Sequence, residues 1–453
     1  MTTPLRNKLF HGLDMEREKD TCIYDPIHGF VEITPLMRMC IDTPEFQRLR
    51  ELKQLGAVHY VFPSATHTRF EHSIGTSYLA GTLIAQLKKH QPELFITERD
   101  IELVRLAGLL HDLGHGPFSH LYDHYIRNPE EEVEHEERGI QIFRGMVKRY
   151  RLPLESGEVD YICDMINPNE IQKHHWRYQM IANKFHSIDV DKMDYIQRDS
   201  YHLGLSFGGD YKRIFQECRV VKYKEHHVLA WSEKSEFDLF SLFSARYRLH
   251  KQVLTHHKVK AYEYMIIRIF KILRQIGWLE PRCFLNWTDS MITQRHLHTD
   301  PDIYVIQFDM DCRRVPRLCY EKLSSTTSSS IQSTTTPSIL SNKFTMTETH
   351  IVDTINIGYM NTNSHPLYEI IYYDSQTRKN TMMDIASMVG FKKTINNSSF
   401  PIPKGHRESL HRIFLCKSED EMTEKERFEI EELKTLKTNQ IKSNQNENRM
   451  ITE

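Results

Sequence analysis

The segment from His111 to Asp123 concentrates side chains that bind metal ions and transfer protons. It reads His-Asp-Leu-Gly-His-Gly-Pro-Phe-Ser-His-Leu-Tyr-Asp. A His-Asp pair alone carries little information in a chain with 26 histidines, but two more histidines and a second aspartate follow this pair closely. Gly114, Gly116 and Pro117 are expected to interrupt a helix here and to turn the side chains inward. Neutral imidazoles and carboxylates that converge on one point bind divalent cations. The alternative is a polar helix end that faces water.

Two other segments carry the same residue types. The sequence Thr-Arg-Phe-Glu-His-Ser places His72 early in an amphipathic segment. The segment 189–199 contains four aspartates with one lysine and one arginine, and helical spacing puts Asp191, Tyr195 and Asp199 on one face. A solvated charged face is the usual meaning of such a run. Apolar side chains are interleaved with these charges, however, and predict a half-buried helix.

Helices are expected to position these residues. Thr97 followed by Asp100 resembles a capping box, and the apolar side chains after it keep a helical period as far as Leu110. Further elements predicted from residue patterns are a helix through 70–81 and a β-hairpin made of 220–224 and 228–231.

Beyond about residue 300 the pattern changes. β-branched and aromatic runs predict strands at 303–308, 351–357 and 367–373. A Ser/Thr-rich stretch at 324–341 has almost no bulky residues and predicts a disordered loop. From Thr423 the chain is dense in Glu and Lys, which predicts one exposed helix that frays toward its end. The sequence therefore predicts a mainly α protein: a helical core with a smaller α+β C-terminal region.

These patterns divide the chain into four parts. We expect a flexible arm at 1–20, a catalytic domain at 21–290, an α+β region at 291–416 that contains the loop 324–341, and a charged tail at 417–453.

The composition narrows the possible functions. A formal net charge of −2 gives no global basic field, so binding of nucleic acid stays open only for a local patch. The 8 cysteines include no Cys-x-x-Cys pair, which argues against a zinc ribbon or a disulfide framework. No apolar run is long enough to span a membrane, and residues 1–20 lack the apolar stretch of a secretory signal. We expect a cytoplasmic or nuclear protein without a membrane partner.

Several longer motifs occur in a characteristic order, at 25–29 (Asp-Pro-Ile-His-Gly), 42–50 (Asp-Thr-Pro-Glu-Phe-Gln-Arg-Leu-Arg), 53–56 (Lys-Gln-Leu-Gly), 69–72 (Arg-Phe-Glu-His), 111–120 and 189–192 (Asp-Val-Asp-Lys). Together they resemble the HD-domain dNTP triphosphohydrolases, a family of SAM-and-HD-domain enzymes and bacterial dGTPase-like proteins. The resemblance covers about 21–290 and returns weakly at 351–356 and 412–416. The segment before Thr21 is too short for a SAM domain, so none is expected there.

The resemblance implies a metal site and a reaction. The ligands would be His72, His111, Asp112 and Asp191, a mixed nitrogen and oxygen set that suits iron, manganese or zinc. Magnesium bound to the phosphates is also expected from the family. The implied reaction is hydrolysis of a deoxynucleoside triphosphate at its α-phosphorus, which yields deoxynucleoside and inorganic triphosphate.

The departing 5′-oxygen of such a reaction needs a proton. The family pattern puts His115, His120, Asp123 and His135 at this point. We predict that His120 is the proton donor and that the other three form a supporting relay.

The resemblance also implies the substrate contacts. Three cations would bind the phosphates, namely Arg69, Lys192 and Arg246. The sugar would be held by Gln54 and Asp199 at the 3′-hydroxyl, and by Tyr195 and Leu254. Leu254 stands where the family usually has a tyrosine against the deoxyribose, so we expect weaker discrimination between dGTP and GTP.

An allosteric guanine-nucleotide pocket is implied in part. Asp42, Gln47 and Arg50 match the family, whereas Thr21 and Tyr24 replace a usual lysine and asparagine. Activation by GTP or dGTP and assembly into a homodimer or tetramer are therefore hypotheses. Two other functions stay open from the sequence: an HD phosphodiesterase acting on another nucleotide or on single-stranded nucleic acid, and a nucleotide-sensing scaffold.

Overall fold

The computed structural model describes residues 21–127, 133–207, 211–293, 300–325, 344–359, 365–374, 388–393 and 407–450. The predicted arm at 1–20 and nearly all of the predicted loop at 324–341 lie outside these ranges. Helices dominate the described residues, and the prediction of a mainly α fold with β structure toward the C-terminus is confirmed. None of the helices in these ranges is both long and apolar enough to cross a bilayer.

Long helices form the core that surrounds the site. Their bounds are Arg69–His90, Glu98–Leu110, His135–Tyr150, Ser156–Ile166, Val190–His202, Glu236–Leu249 and His257–Gln275. Thr97 begins the second of them as predicted: its Oγ1 accepts the Asp100 N–H at 3.0 Å, and Asp100 Oδ2 accepts the Thr97 N–H at 2.8 Å. The predicted helix through 70–81 is also confirmed, as part of Arg69–His90.

Shorter helical elements connect the core. The α-helices among them are Pro35–Ile41, Pro44–Gln47, Lys212–Gln216 and Ser290–Thr293, and single π-helical turns occur at Tyr122–Ile126 and His250–Leu254. Both π turns lie beside the cavity described below. Such turns are often found at functional sites.

The strands form three small sheets in which nearly all described pairs are antiparallel. Thr21–Asp25 pairs with Gly29–Ile33. The predicted hairpin is confirmed as Cys218–Tyr223 and His226–Ser232, to which Tyr372–Tyr373 adds a short parallel strand. The C-terminal sheet has the spatial order Arg317–Ser325, Arg407–Leu415, His350–Gly358, Phe344–Met346.

Two strand predictions were wrong in whole or in part. Residues 303–308 lie in the helix Pro301–Asp311, because Asp300 caps the first turn, Pro301 fits it, and Ile303 and Ile306 are buried at helical spacing. In 367–373 only Tyr372–Tyr373 is a strand. The predicted strand at 351–357 is confirmed within His350–Gly358.

The C-terminal sheet packs on the helical core. Tyr264 lies on the helix His257–Gln275, and its hydroxyl donates to Oδ2 of Asp353 at 2.6 Å. Arg412 donates to the carbonyl of Thr255. The charged tail forms the predicted helix, Glu424–Met450, which continues to Met450 through residues that were predicted to fray. A domain boundary near residue 290 stays a prediction.

Candidate active site

Three helices bring potential metal ligands to one point. His72 lies in the first turn of Arg69–His90, His111 caps the end of Glu98–Leu110, and Asp191 lies in the first turn of Val190–His202. One ligand atom from each lies within 4.8 Å of the other two. Nε2 of His72 is 3.0 Å, and Nε2 of His111 3.6 Å, from Oδ1 of Asp191. The structure thus brings three of the four predicted ligands together.

The far side of each imidazole is fixed by a hydrogen-bond acceptor. Nδ1 of His72 lies 2.8 Å from Oδ2 of Asp194, and Nδ1 of His111 lies 2.8 Å from the carbonyl of Gly108. Protons on both Nδ1 atoms leave the Nε2 lone pairs directed at the shared point. Within the described residues, the buried Nε2 of His111 has no hydrogen-bond partner. This donor set fits a divalent cation.

Asp112, the fourth predicted ligand, contacts both metal-site histidines and a cation. Its Oδ1 lies 3.3 Å from Nε2 of His111, its Oδ2 lies 3.7 Å from Nε2 of His72, and Nη1 of Arg69 lies 2.5 Å from Oδ2. Burial raises the pKa of Asp112, but Arg69 and the neighbouring imidazoles outweigh burial and hold it well below its usual value. Asp112 is therefore ionised and able to bind a metal.

The neighbouring carboxylates raise the pKa values of the two metal-site imidazoles. Burial lowers the pKa of His72, yet hydrogen bonds with Asp191 and Asp194 outweigh burial and raise it to about 10. The pKa of His111 is raised as well, chiefly by Asp112 acting against burial. This part of the site therefore favours a positive charge between its side chains.

A second cluster follows on the loop after His111. A Cβ at Gly114 would overlap the carbonyl oxygen of His135, so only glycine allows the helix His135–Tyr150 to approach this closely. As a result the rings of His115 and His135 stack with centroids 4.0 Å apart. Oδ2 of Asp123 lies 3.5 Å from Nδ1 of His135 and 3.8 Å from Nδ1 of His115. The structure brings the predicted relay residues together.

The surroundings of this cluster keep His115 and His120 neutral. Burial and the nearby charge of Arg69 lower the pKa of His115 well below its usual value. His120 faces the open cavity, but the surrounding protein and Arg69 lower its pKa to about 4. For Asp123, burial raises the pKa but contacts with His135, His115 and Arg138 more than compensate, so it is ionised.

A cavity of about 520 Å³ joins both clusters. All four predicted metal ligands line it, as do His115, His120 and His135, while Asp123 lies behind them. The predicted substrate residues that line it are Gln54, Arg69, Lys192, Tyr195, Asp199, Arg246 and Leu254. Every predicted substrate contact is therefore available to one ligand.

The three predicted phosphate-binding cations differ in their contacts. Arg69 is already engaged by Asp112 and by Ser119, whose Oγ lies 3.0 Å from Nε. Lys192 pairs with Asp189 at 2.7 Å. Arg246 donates through Nη1 to two backbone carbonyls of the C-terminal region, at Gly358 and Tyr359, and its buried Nε has no partner among the described residues. Arg246 is thus the cation with a buried donor still available.

At the sugar end, Leu254 and Tyr195 both line the cavity. Tyr247, the other ring near enough in sequence to replace the missing tyrosine, is held elsewhere. Its hydroxyl lies 2.7 Å from Oε2 of Glu408 and its ring stacks on Tyr359 at 5.0 Å. Of these two tyrosines, only Tyr195 therefore lines the cavity.

Two cavity histidines were missed from the sequence. His124 lines the cavity four residues after His120 and close to its ring, with centroids 6.3 Å apart. His250 lines it four residues after Arg246, and burial together with Arg246 lowers its pKa to about 3. The four-residue spacing from a predicted site residue was the available signal, since such residues share a helical face.

The predicted allosteric residues lie outside this cavity. Nε of Arg50 donates to Oε1 of Gln47 at 2.8 Å, and its guanidinium lies 3.5 Å above the ring of Phe70. Asp42 and Arg50 are exposed, and Gln47 is half-buried. The structure brings Gln47 and Arg50 into contact, whereas Asp42 lies at the C-terminal cap of Pro35–Ile41.

Helices that direct histidines and aspartates into one cavity define an HD-class metal-dependent hydrolase. The HD domain family model matches residues 69–199, which contain all four candidate ligands. An HD domain implies a divalent metal, and the described residues supply groups able to bind one.

Curated relatives narrow the class to a family. The deoxynucleoside triphosphate triphosphohydrolase SAMHD1 of Bos taurus is 32% identical over 462 residues, covering 88% of this chain and 76% of the relative. The Homo sapiens protein of that name is 32% identical over 460 residues, covering 88% and 70%. The SAMHD1 homolog of Dictyostelium discoideum is 38% identical over 296 residues, covering 63% of this chain and 57% of the relative. The chain belongs to the SAMHD1 family of HD-domain deoxynucleoside triphosphate triphosphohydrolases.

Proposed function

We propose that this protein hydrolyses deoxynucleoside triphosphates to deoxynucleoside and inorganic triphosphate. The observation that carries the proposal is one cavity lined both by the ligand set of His72, His111 and Asp191 and by unpaired or cationic groups suited to a triphosphate. The names of the relatives state the same activity for those proteins.

The metal set consists of His72, His111, Asp112 and Asp191. When bound there, a divalent transition metal (iron, manganese or zinc) supplies Lewis acidity and an activated water for attack on the α-phosphorus, with magnesium neutralising the phosphates. Asp194 and the Gly108 carbonyl keep the two imidazoles oriented for that role.

His120 is the proposed proton donor to the 5′-oxygen. Its pKa of about 4 means that the imidazole is neutral before substrate binds. The negative charge of a bound triphosphate raises that pKa and supplies the protonated form when it is needed. His115, Asp123 and His135 support the transfer, since the negative charge of ionised Asp123 lies close to Nδ1 of both rings and stabilises a proton passed to either one.

The phosphates are held by Arg246 through its available Nε and by Lys192, while Arg69 acts mainly on Asp112. Gln54 and Asp199 bind the 3′-hydroxyl, with Tyr195 and Leu254 beside the sugar. A site that hydrogen-bonds a substrate hydroxyl discriminates well against analogues that lack it.

The products of hydrolysis test the proposal, because they show which bond is cleaved. Purified protein is incubated with dGTP and Mg²⁺ together with Mn²⁺, Fe²⁺ or Zn²⁺ in turn, and the products are separated by anion exchange. We expect deoxyguanosine and inorganic triphosphate. Release of dGMP and pyrophosphate, or hydrolysis of no dNTP with any of the metals, contradicts it.

We further propose that GTP or dGTP binds at Asp42, Gln47 and Arg50 and favours a homodimer or tetramer. Support comes from the contact between Gln47 and Arg50 and from the exposure of Asp42 and Arg50. We expect GTP to raise both dATP hydrolysis and the mass measured by light scattering, and Arg50→Ala to weaken both effects. Equal rates and equal mass with and without GTP contradict this proposal and leave the catalytic one intact.

A further inference from the structure

His67 lies directly behind the cavity wall, where it contacts both candidate 3′-hydroxyl ligands. The residue is 2% exposed and does not line the cavity. Nε2 of His67 lies 2.7 Å from Oδ1 of Asp199, and the backbone carbonyl of His67 accepts the N–H of Gln54 at 3.0 Å. His67 therefore holds the carboxylate of Asp199 through its ring and the backbone N–H of Gln54 through its own carbonyl.

The ring of His67 is itself clamped. The imidazole of His202 stacks on it with centroids 4.4 Å apart and planes 11° apart. Nε2 of His202 lies 3.5 Å from Oε2 of Glu71. Because Asp199 and His202 lie on one helix, Val190–His202, that helix fixes the ring of His67 both in plane and from above.

The contacts of His67 indicate which of its two ring nitrogens carries the proton. Nδ1 of His67 is buried and has no partner among the described residues. The single proton of a neutral imidazole is then best placed on Nε2, where Oδ1 of Asp199 accepts it. The second oxygen of Asp199 remains for another donor. Oε1 of Gln54 is also buried and, over the same described ranges, unpartnered at the cavity.

We propose that His67 is a positioning residue that makes this enzyme selective for a 3′-hydroxyl. By donating to Oδ1, it directs Oδ2 of Asp199 at the 3′-hydroxyl. That hydroxyl donates its proton to Oδ2, and its oxygen accepts a hydrogen bond from the amide N–H of Gln54. This inference rests on the proposed dNTP hydrolysis. A contact of this kind distinguishes dGTP from its 3′-deoxy analogue, 2′,3′-dideoxyguanosine triphosphate, and leaves the chemistry at phosphorus unchanged.

The test is a substrate comparison in matched variants. His67→Phe keeps an aromatic ring against His202 but removes the N–H. We expect kcat/KM for dGTP to fall roughly ten- to hundredfold, the worth of one hydrogen bond to a charged group, and kcat/KM for the dideoxy substrate to change little. The preference for dGTP therefore collapses. His186→Phe, a buried histidine outside the cavity, is the matched control and should leave the ratio unchanged.

A second pair of variants covers loss of folding in His67→Phe. His67→Gln keeps an N–H donor near the position of Nε2, whereas His67→Asn withdraws it, and both remain small, neutral and polar. We expect His67→Gln to retain most of the dGTP preference and His67→Asn to lose it. Equal losses on both substrates would show a merely structural role and overturn the inference.

The unmutated protein separates the two proposals. If it hydrolyses dGTP and the dideoxy analogue equally well, the positioning inference is overturned and the proposed function stands. If it hydrolyses neither under any metal condition, the proposed function fails, and this inference fails with it.

Discussion

The histidines in the two halves of the cavity have pKa values shifted in opposite directions from the usual value. In the half at His72 and His111, imidazoles face carboxylates and their pKa values are raised. In the half at His115, His120 and His250, imidazoles lie in buried surroundings near Arg69 or Arg246, and their pKa values are lowered. The residue type is the same, so the neighbours alone shift the pKa values in opposite directions, which agrees with the proposed cation-binding role of one half and the proposed proton-transfer role of the other.

Removing the cation-binding half should have the largest effect. In His111→Ala/Asp112→Ala two of the four candidate ligands are lost, so we expect both transition-metal content and hydrolysis to fall to background. Elemental analysis of the purified variant measures the first and triphosphate release the second. Unchanged metal content in this double variant refutes the assignment of the metal half.

Removing the proposed proton donor should impair only the half of the cavity at His115, His120 and His250. His120→Ala is expected to keep its metal and to bind dNTP, but to lower turnover by roughly two to four orders of magnitude, the usual contribution of general acid catalysis. Metal analysis and single-turnover kinetics separate the two halves. Near-normal turnover in this variant would indicate that the proton donor is His115 or His135 instead.

A substitution at Leu254 tests whether selectivity for the sugar is independent of the two halves of the cavity. A pocket that rejects a hydroxyl by shape alone discriminates on the order of a hundredfold when intact. We expect Leu254→Tyr to raise the preference for dGTP over GTP toward that value without altering metal content. The measurement is kcat/KM for both nucleotides in both proteins. Complete rejection of GTP by the unmutated protein, unchanged in the variant, shows that Leu254 does not line the sugar pocket.

The smallest expected effect is a pH dependence of stability caused by His250. Its folded pKa, about 3, is below the usual 6.5. Below pH 6.5 the unfolded chain therefore binds a proton that the folded protein does not, and stability falls as the pH is lowered toward 3. The loss is at most about 1.4 kcal/mol per pH unit.

Urea unfolding at pH 7 and pH 5.5 checks this sign. The stability lost between these two pH values should be smaller in His250→Gln than in the unmutated protein, by up to about 1.4 kcal/mol. His226→Gln, at an exposed histidine of the hairpin, is the control and should not change it. An identical loss in all three proteins contradicts the assigned environment of His250.

Local sequence patterns predicted those elements whose signals are local. The capping box at Thr97 and the hairpin around residue 225 formed as expected, since their hydrogen bonds join residues close in the chain. The strand prediction at 303–308 was wrong because it was based on β-branched composition and did not consider the helix N-terminal cap at Asp300 and Pro301. Tertiary burial of Ile303 and Ile306 then supported the helix.

The sequence by itself determined which chemistry is available: the order and spacing of His72, His111, Asp112 and Asp191, and the motifs that resemble one family. Only the tertiary structure decided how each group is used. Nδ1 of His72 contacts Asp194, Arg69 pairs with Asp112, and Asp199 contacts His67, 132 positions away in the chain. Spacing along a helix records which side chains share a face, whereas hydrogen-bond direction and burial arise between elements distant in sequence, and these set proton affinity and specificity.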